Sequence, residues 1–339
     1  MGKRIRLMLA DGAGHKVTPR FSKAPAAQAF DLVIPADGTA AAQLAVAANV
    51  DAIITYQTEI SAAVIRAAPA LKFIQKHGRN CRSIDVAAAS ERGVRVATMP
   101  LMRNVTVAEH ALALMLACAR KVLDGHRAVS GATYRQMGLA PVVTTQSDYR
   151  KNWAGIEGVT ELFKATVGIV GMGDIGMEIA QRCRAFGMAV NYHQRTRHPA
   201  SIEDLLGVHY QSLDELLSAS DFIVLVIPHT PESEGMIDAR TLALMKSSAV
   251  LINVGRGGLI DEAALIAALD KKQIAMAGLD VYRMEPLPAA SPLRGLPNVV
   301  LLPHTGGGSY RSWEIDVPAS MQNIGRFFAG EQADGIINA

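Results

Sequence analysis

Three short segments hold side chains that could bind an anion and move a proton. Arg256 lies in the glycine-flanked segment VGRGG, Glu285 precedes a proline in MEPLP, and His304 follows a proline in LLPHTGG. An arginine in such a turn can bind a carboxylate through two parallel hydrogen bonds. A histidine can transfer a proton while a carboxylate orients its ring. We therefore predict Arg256, Glu285 and His304 as the catalytic residues of a site for a small carboxylate.

The elements that must position these residues alternate between short apolar strands and helix-like stretches. Each of the three segments follows a predicted strand, and open parallel sheets keep their ligand sites at the carboxyl ends of their strands. The pattern therefore predicts a doubly wound parallel sheet in this part of the chain. The predicted strands are 221–228, 249–254, 274–281 and 299–302, and the predicted helices between them include 239–245 and 262–269.

A glycine-rich turn, GMGDIG, opens the same predicted sheet. It lies between the strand TVGIV and a helix-like stretch, and a second strand, MAVNYH, follows. Gly171 permits the tight turn, Gly173 lets the backbone approach a pyrophosphate, and Gly176 allows the helix to pack closely on the sheet. In this strand–turn–helix context the glycines predict a dinucleotide-binding domain.

The end of the second strand indicates which dinucleotide binds. An acidic side chain there would bind the ribose hydroxyls of NAD and repel a 2′-phosphate. This chain has Gln194 at that place, and Arg195 and Arg197 follow it as two fixed positive charges. Arginine binds phosphate through paired hydrogen bonds. The sequence therefore favours NADP as the cofactor, with NAD as the alternative.

The first hundred residues alternate in the same way and predict a second α/β domain. We expect residues 1–103 together with 305–339 to form a substrate-binding domain, and residues 104–304 to form the dinucleotide-binding domain, with a cleft between them. The stretch 107–128 predicts one helix, apolar nearly all round its first half, which is either a subunit interface or a core helix. The stretch 136–158 predicts a long loop.

Composition and charge argue against several classes of function. The 34 Lys and Arg residues nearly balance 31 Asp and Glu residues, and no basic stripe is present, which makes a nucleic-acid partner a poor hypothesis. No apolar run reaches the ~20 residues of a membrane span, and the start of the chain is unlike a signal peptide. We expect a cytoplasmic protein. The three cysteines match no metal-binding spacing, and we expect no metal site.

Taken with VAEHALALML, TPESEGMID and GRNCRSIDVAAASERGV, these motifs resemble the D-isomer-specific 2-hydroxyacid dehydrogenase family from about residue 45 to residue 330. The resemblance implies two Rossmann-like or flavodoxin-like domains, a homodimer, and D-specific hydride transfer between NADP(H) and a small 2-hydroxy or 2-keto acid of the glyoxylate or hydroxypyruvate type. It implies that Arg256 binds the substrate, His304 is the acid/base and Glu285 holds His304. The further cofactor contacts that we expect are Asp174, Ile175, Ile227, Pro228, Ser233, Val254, Gly255 and Asp280.

One loop departs from the family pattern. The family usually has a sequence close to GVGYDNID where this chain has GRNCRSID. We expect Gly78, Arg79 and Asn80 to contact the substrate there, together with Arg256. Arg79 and Arg82 add positive charge that either binds a second anionic group or points to solvent. The first of these possibilities leaves an oxidoreductase for another small anion, such as phosphite, as an alternative. A dinucleotide-sensing protein is a second alternative, because corepressors resemble this fold and keep the Arg, Glu and His.

Overall fold

The computed structural model describes residues 4–78, 81, 83–147, 149–198, 200–308 and 310–338. The chain forms two compact units: unit 1 is Met1–Arg103 with Ser309–Ala339, and unit 2 is Asn104–Gly308. Each unit has a parallel β-sheet with helices on its faces, and the predicted pair of α/β domains is thereby confirmed. No helix in the described ranges is long and apolar enough to cross a membrane.

Unit 1 has a five-stranded parallel sheet in the order β2-β1-β3-β4-β5. Helices cover both faces of the sheet, so its central strands are buried on both sides. The strands are β1 (Ile5–Leu9), β2 (Phe30–Val33), β3 (Ala52–Thr55), β4 (Phe73–Lys76) and β5 (Arg95–Ala97). The helices are α1 (Thr18–Ser22), α2 (Ala40–Ala47), α3 (Ala62–Arg66), α4 (Val86–Glu91) and the last helix of the chain, α12 (Tyr310–Phe328).

Helix α12 completes the core of unit 1. Its residues Val317, Met321 and Ile324 are buried in one apolar cluster with Leu7 and Phe73 from the central strands. Polar contacts fix the same packing, since His77 Nδ1 lies 2.8 Å from Ser320 Oγ. The residues after the helix then pair with the edge strand through an antiparallel bridge between Ala97 and Ile336. The C-terminal segment is therefore an integral layer of this unit.

Unit 2 has a seven-stranded parallel sheet in the order β12-β11-β10-β9-β6-β7-β8. The strand order reverses between β6 and β9, and such a reversal opens a crevice at the carboxyl ends of the two strands. The strands are β6 (Thr166–Val170), β7 (Ala189–His193), β8 (His209–Tyr210), β9 (Phe222–Leu225), β10 (Val250–Asn253), β11 (Met276–Leu279) and β12 (Val299–Leu301). The helices between them are α7 (Asp174–Ala185), α8 (Ala200–Leu206), α9 (Leu213–Ala219), α10 (Ala239–Leu244) and α11 (Glu262–Asp270).

The single helix predicted over 107–128 is wrong. The chain forms α5 (Met102–Ala119) and α6 (Val122–Ser130), which are separated at Lys121 by a left-handed backbone with φ +51°. The apolar pattern belongs to α5, whose Ala111, Leu114 and Met115 are fully buried in the core of unit 2. Helix α6 buries none of its residues. The core-helix interpretation therefore holds for α5, and the change from a buried to an exposed surface coincides with the break.

Candidate active site

The glycine turn between β6 and α7 has the shape that a pyrophosphate requires. Gly171 has φ +107°, and a Cβ there would lie 2.6 Å from Ile227 Cγ2. A Cβ on Gly176 would collide with the carbonyl oxygen of Gly171. At Gly173, by contrast, no described atom lies within 4 Å of the Cβ position. Close packing therefore requires glycine at 171 and 176. Gly173 leaves open space beside the N-terminal amides of α7, which fits a dinucleotide phosphate.

The other expected cofactor residues lie on the same edge of this sheet. Asp174 and Ile175 begin α7, and the rest lie in the loops that follow three neighbouring strands. A Cβ on Gly255 would lie 2.9 Å from the carbonyl oxygen of Ile227, so the loops after β9 and β10 are in contact. The hydroxyl of Ser233 accepts from Thr230 N at 2.8 Å and thereby shapes the first of these loops. Ile227 and Pro228 follow β9, Val254 and Gly255 follow β10, and Asp280 follows β11.

The residues after β7 have three different environments. Gln194 Oε1 accepts from Met172 N of the glycine turn at 3.2 Å. Arg195 is exposed. Arg197 donates from Nε and Nη2 to both carboxylate oxygens of Glu203, at 2.8 and 2.7 Å. The structure thus brings Gln194 to the glycine turn, places Arg195 at the surface, and pairs Arg197 with an acid of α8.

A histidine–glutamate pair lies in the loops that follow β11 and β12. His304 Nδ1 lies 2.6 Å from Glu285 Oε2, and Tyr282 N donates to Glu285 Oε1 at 3.1 Å. Both oxygens of the carboxylate therefore have a partner, and the ring is held through Nδ1. More than half of each side chain is buried. The free ring nitrogen, Nε2, can exchange a proton with a bound molecule while the carboxylate stabilises the imidazolium.

The turn that carries His304 is fixed by Asp280. His304 has φ +57°, and the next two backbone amides, Thr305 N and Gly306 N, each donate to the Asp280 carboxylate at 2.9 Å. The Nε2 atom of His110 is buried and lies 3.0 Å from the same carboxylate. Burial alone would raise the pKa of Asp280, but His110 and the two amides together lower it below its ordinary value.

His110 is a residue whose role the sequence analysis missed. It lies in the apolar helix α5, where a polar ring is out of pattern and needs a partner. This polar residue in an apolar pattern was the only feature of the sequence that indicated a role for His110. Asp280 was expected to contact the cofactor, and the structure shows its buried carboxylate bonded to the His304 turn.

Arg256 lies in a tightly packed loop beside the pair. Asn253 connects the two ends of the loop, because its side chain accepts from Gly255 N and donates to Arg256 O, both at 3.0 Å. A Cβ on Gly257 would collide with the backbone of Tyr282, which carries the amide that holds Glu285. The Arg256 loop therefore lies against the segment that positions the carboxylate. The Arg256 side chain itself is exposed.

The expected substrate loop begins in unit 1 at Gly78, which follows β4 and has φ +119°. Arg79 and Asn80, the other two residues of the prediction, lie outside the described residues, as does Arg82. The sequence analysis overlooked Lys76, whose buried amine donates to the carbonyl oxygens of Tyr56 and His77. Burial lowers the pKa of Lys76 to about 8. Within the described ranges no three His, Cys, Asp or Glu side chains are grouped to hold a metal ion.

Comparisons with known proteins agree with this geometry. A family model described as "D-isomer specific 2-hydroxyacid dehydrogenase, NAD binding domain" matches residues 112–306. The chain is 37% identical over 293 residues to a glyoxylate reductase of Thermococcus onnurineus (strain NA1), covering 86% of this chain and 83% of that protein. It is also 37% identical over 293 residues to a glyoxylate/hydroxypyruvate reductase B of Citrobacter koseri, covering 86% and 85%.

The chain is also similar to a solved structure over nearly its whole length. The NADPH-dependent glyoxylate/hydroxypyruvate reductase of Sinorhizobium meliloti, crystallised with NADP and malonate, aligns with a TM-score of 0.63 at 28% identity. The alignment covers 99% of this chain and 97% of that protein. The sheet, the glycine turn and the relatives together define an oxidoreductase that acts on CH–OH groups with a nicotinamide dinucleotide. The chain belongs to the D-isomer specific 2-hydroxyacid dehydrogenase family.

Proposed function

We propose that this protein is an NADP-preferring reductase of small 2-keto acids of the glyoxylate or hydroxypyruvate type that forms the D-hydroxy acid. The observation that carries the proposal is the 2.6 Å contact between His304 Nδ1 and Glu285 Oε2 in the unit that holds the glycine turn. The relatives named above as glyoxylate and hydroxypyruvate reductases support the choice of substrate.

The reaction needs a proton donor beside the carbonyl oxygen. The reduced dinucleotide, when bound, supplies a hydride to the keto carbon. His304 donates the proton from Nε2 to the carbonyl oxygen, because Nδ1 is held by Glu285. The Glu285 carboxylate stabilises the charged ring before transfer, and the Tyr282 amide keeps that carboxylate in place.

We assign the substrate carboxylate to Arg256. A guanidinium can bind both carboxylate oxygens and adds positive charge near the oxygen that becomes an alkoxide. The packed loop supports this role, since Asn253 and the contact with Tyr282 fix the backbone from which Arg256 extends. We further propose that Gly78, Arg79 and Asn80 contact the substrate.

The preference for NADP rests on the end of β7. Gln194 replaces the acid that would bind the ribose of NAD, and Arg195 offers positive charge. The NADP complex of the Sinorhizobium meliloti relative agrees with this choice. The glycine turn would hold the pyrophosphate. The residues that we propose to contact the cofactor are Gly171, Gly173, Asp174, Ile175, Gly176, Gln194, Arg195, Ile227, Pro228, Ser233, Val254, Gly255 and Asp280, with Arg197 considered below.

We propose a homodimer on the basis of exposed apolar side chains in and after α6. Val122 and Val129 of this helix are 52% and 67% exposed, and Val143 of the following loop is 91% exposed. Such a surface is costly in water and is expected to be covered by a second copy. Light scattering of the purified protein tests this. A monomer at micromolar concentration would contradict it.

Steady-state kinetics test the function. We expect turnover of glyoxylate or hydroxypyruvate with NADPH, and a lower kcat/KM with NADH. A 2-keto acid panel run with both cofactors measures the preference directly, and chiral analysis of the product tests the D configuration. Cofactor binding without turnover of any acid in the panel would contradict the proposal and favour a dinucleotide sensor.

A further inference from the structure

The loop that follows β7 is held by a buried carboxylate. Glu203 of α8 has a side chain that is only 8% exposed, and both of its oxygens accept from Arg197. The Arg197 guanidinium also lies over the ring of Tyr210, 5.6 Å from its centroid. Two directed bonds and a ring contact fix the arginine in one orientation. Its charge is paired within the protein.

A second set of bonds connects the same loop to the glycine turn. The hydroxyl of fully buried Tyr192 donates to Glu203 at 2.7 Å and accepts from His198 N at 2.9 Å. His198 Nε2 then donates to Met172 O at 2.7 Å, and Gln194 accepts from Met172 N. The loop over 194–198 is therefore bonded at one end to α8 and at both ends to the backbone of the glycine turn.

Arg195 has a different environment from Arg197. Its side chain is exposed, and its charge acts on Glu232 in the loop after β9. A hydrogen bond from the Thr230 side chain, and to a lesser extent the charge of Arg195, lowers the pKa of Glu232. Both arginines are exposed, but Arg197 is bonded to a buried carboxylate, whereas Arg195 follows Gln194, which is bonded to the glycine turn.

We propose that the two arginines have different roles: Arg195 binds the 2′-phosphate, and Arg197 with Glu203 positions the loop that presents Arg195 and Gln194 to the cofactor. The part of this proposal that concerns Arg195 rests on the NADP preference proposed above. The part that concerns Arg197 and Glu203 applies to either cofactor, because the bonded loop also holds Met172 of the glycine turn. Arg197 is thus a positioning residue.

The two possible roles of Arg197 make opposite predictions for Glu203→Gln. This change keeps the size of the side chain and removes the charge that pairs with Arg197. If Arg197 positions the loop, both NADPH and NADH bind more weakly, each by about three- to tenfold, which corresponds to the net contribution of about one ordinary hydrogen bond. If Arg197 binds the phosphate directly, releasing it leaves NADPH affinity unchanged or makes it stronger.

Isothermal titration calorimetry with NADPH and with NADH measures this without relying on turnover. Arg195→Ala should weaken NADPH by about tenfold or more and NADH by less than about twofold. Arg197→Ala and Glu203→Gln should each weaken both cofactors by a similar factor. The double variant Arg197→Gln with Glu203→Gln leaves no unpaired charge and should bind no worse than either single variant. Arg240→Ala, which breaks an exposed two-bond pair with Asp214, is the matched control and should change neither affinity.

A selective loss of NADPH affinity in Arg197→Ala, with intact or stronger binding in Glu203→Gln, would overturn the positioning role. If the wild-type protein binds both cofactors equally and Arg195→Ala affects neither, the NADP preference fails. An equal loss for both cofactors in Glu203→Gln would still support the positioning role, and the two failures are therefore distinguishable.

Discussion

Replacement of Asp280 by asparagine tests whether the His304 turn is set by one buried carboxylate. The side chain of Asp280 is only 3% exposed, and its two oxygens accept from Thr305 N and Gly306 N, with His110 Nε2 at 3.0 Å. Asparagine has a single acceptor oxygen. Its NH₂ group must then face either the amide of Gly306 or the amide of Thr305. At least one buried donor loses its acceptor in either orientation.

The expected cost follows from those contacts. A buried donor without a partner costs ~1–3 kcal/mol, and loss of the charge weakens the bonds that remain, which gives a total of about 2–4 kcal/mol. His304 has φ +57°, a conformation that costs a non-glycine residue ~1–2 kcal/mol and persists only when its surroundings enforce it. The turn should therefore relax and move the ring away from Glu285. We expect kcat to fall by about 10- to 100-fold, which corresponds to ~1.4–2.7 kcal/mol.

The assay is kcat at saturating NADPH and glyoxylate, together with the free energy of unfolding in urea. Asp221→Asn is the matched control, because Asp221 also accepts from a backbone amide, Thr166 N, and from a cation, Lys246 Nζ, both at 2.8 Å. We expect the control to lose stability and to keep kcat within about twofold. The reasoning is refuted if Asp280→Asn loses a similar free energy of unfolding while its kcat remains unchanged.

Three further predictions concern other parts of the chain. His304→Ala should lower kcat by about 10²–10⁴-fold and leave the Kd of NADPH within about twofold by calorimetry; a large loss of binding would contradict a proton-donor role. Gly173→Ala should keep the wild-type Tm but lose NADPH affinity. Gly176→Ala should lower the Tm, because its Cβ would collide with Gly171. Equal Tm values for the two variants would be inconsistent with the described turn. Burial lowers the pKa of Lys76 to about 8 from 10.5, so the unfolded chain binds more protons between these values, and stability must rise with pH there. Relative to Lys76→Met, the wild-type free energy of unfolding should increase by up to about 3 kcal/mol from pH 8 to 10.5 in urea titrations. The prediction is refuted if the free energies of unfolding of the two proteins change equally with pH.

The sequence predicted the central strands well because they are buried on both faces. The strands β3, β9 and β10 consist mostly of apolar residues, and such runs between turn residues are readable without a structure. The edge strand β8 has only the two residues His209 and Tyr210, and its pairing depends on its neighbour β7. The break at Lys121 was also unreadable, since it marks where tertiary burial ends.

The site was predictable only as far as local sequence determines it. Glycines in turns and polar residues that follow strands are recognisable from their type and position in the sequence. The sequence therefore predicts Arg256, Glu285 and His304 as catalytic residues. The partner of Arg197 was not predictable, because the side chain of Glu203 reaches it only through the placement of α8. The contact between His110 and Asp280 joins residues far apart in the chain, and no short pattern encodes such a pair.

The interleaved order of the two units has a consequence for biosynthesis. Unit 2 is one continuous stretch, whereas the apolar layer of unit 1 needs Val317, Met321 and Ile324 to cover Leu7 and Phe73. The ribosome therefore releases the strands of the unit 1 sheet with part of one apolar face uncovered, and some two hundred further residues are synthesised before the covering helix emerges. During that interval we expect the exposed apolar surface to favour chaperone binding. We expect unit 2 to fold before unit 1 is complete, because every residue of unit 2 is translated before the covering helix.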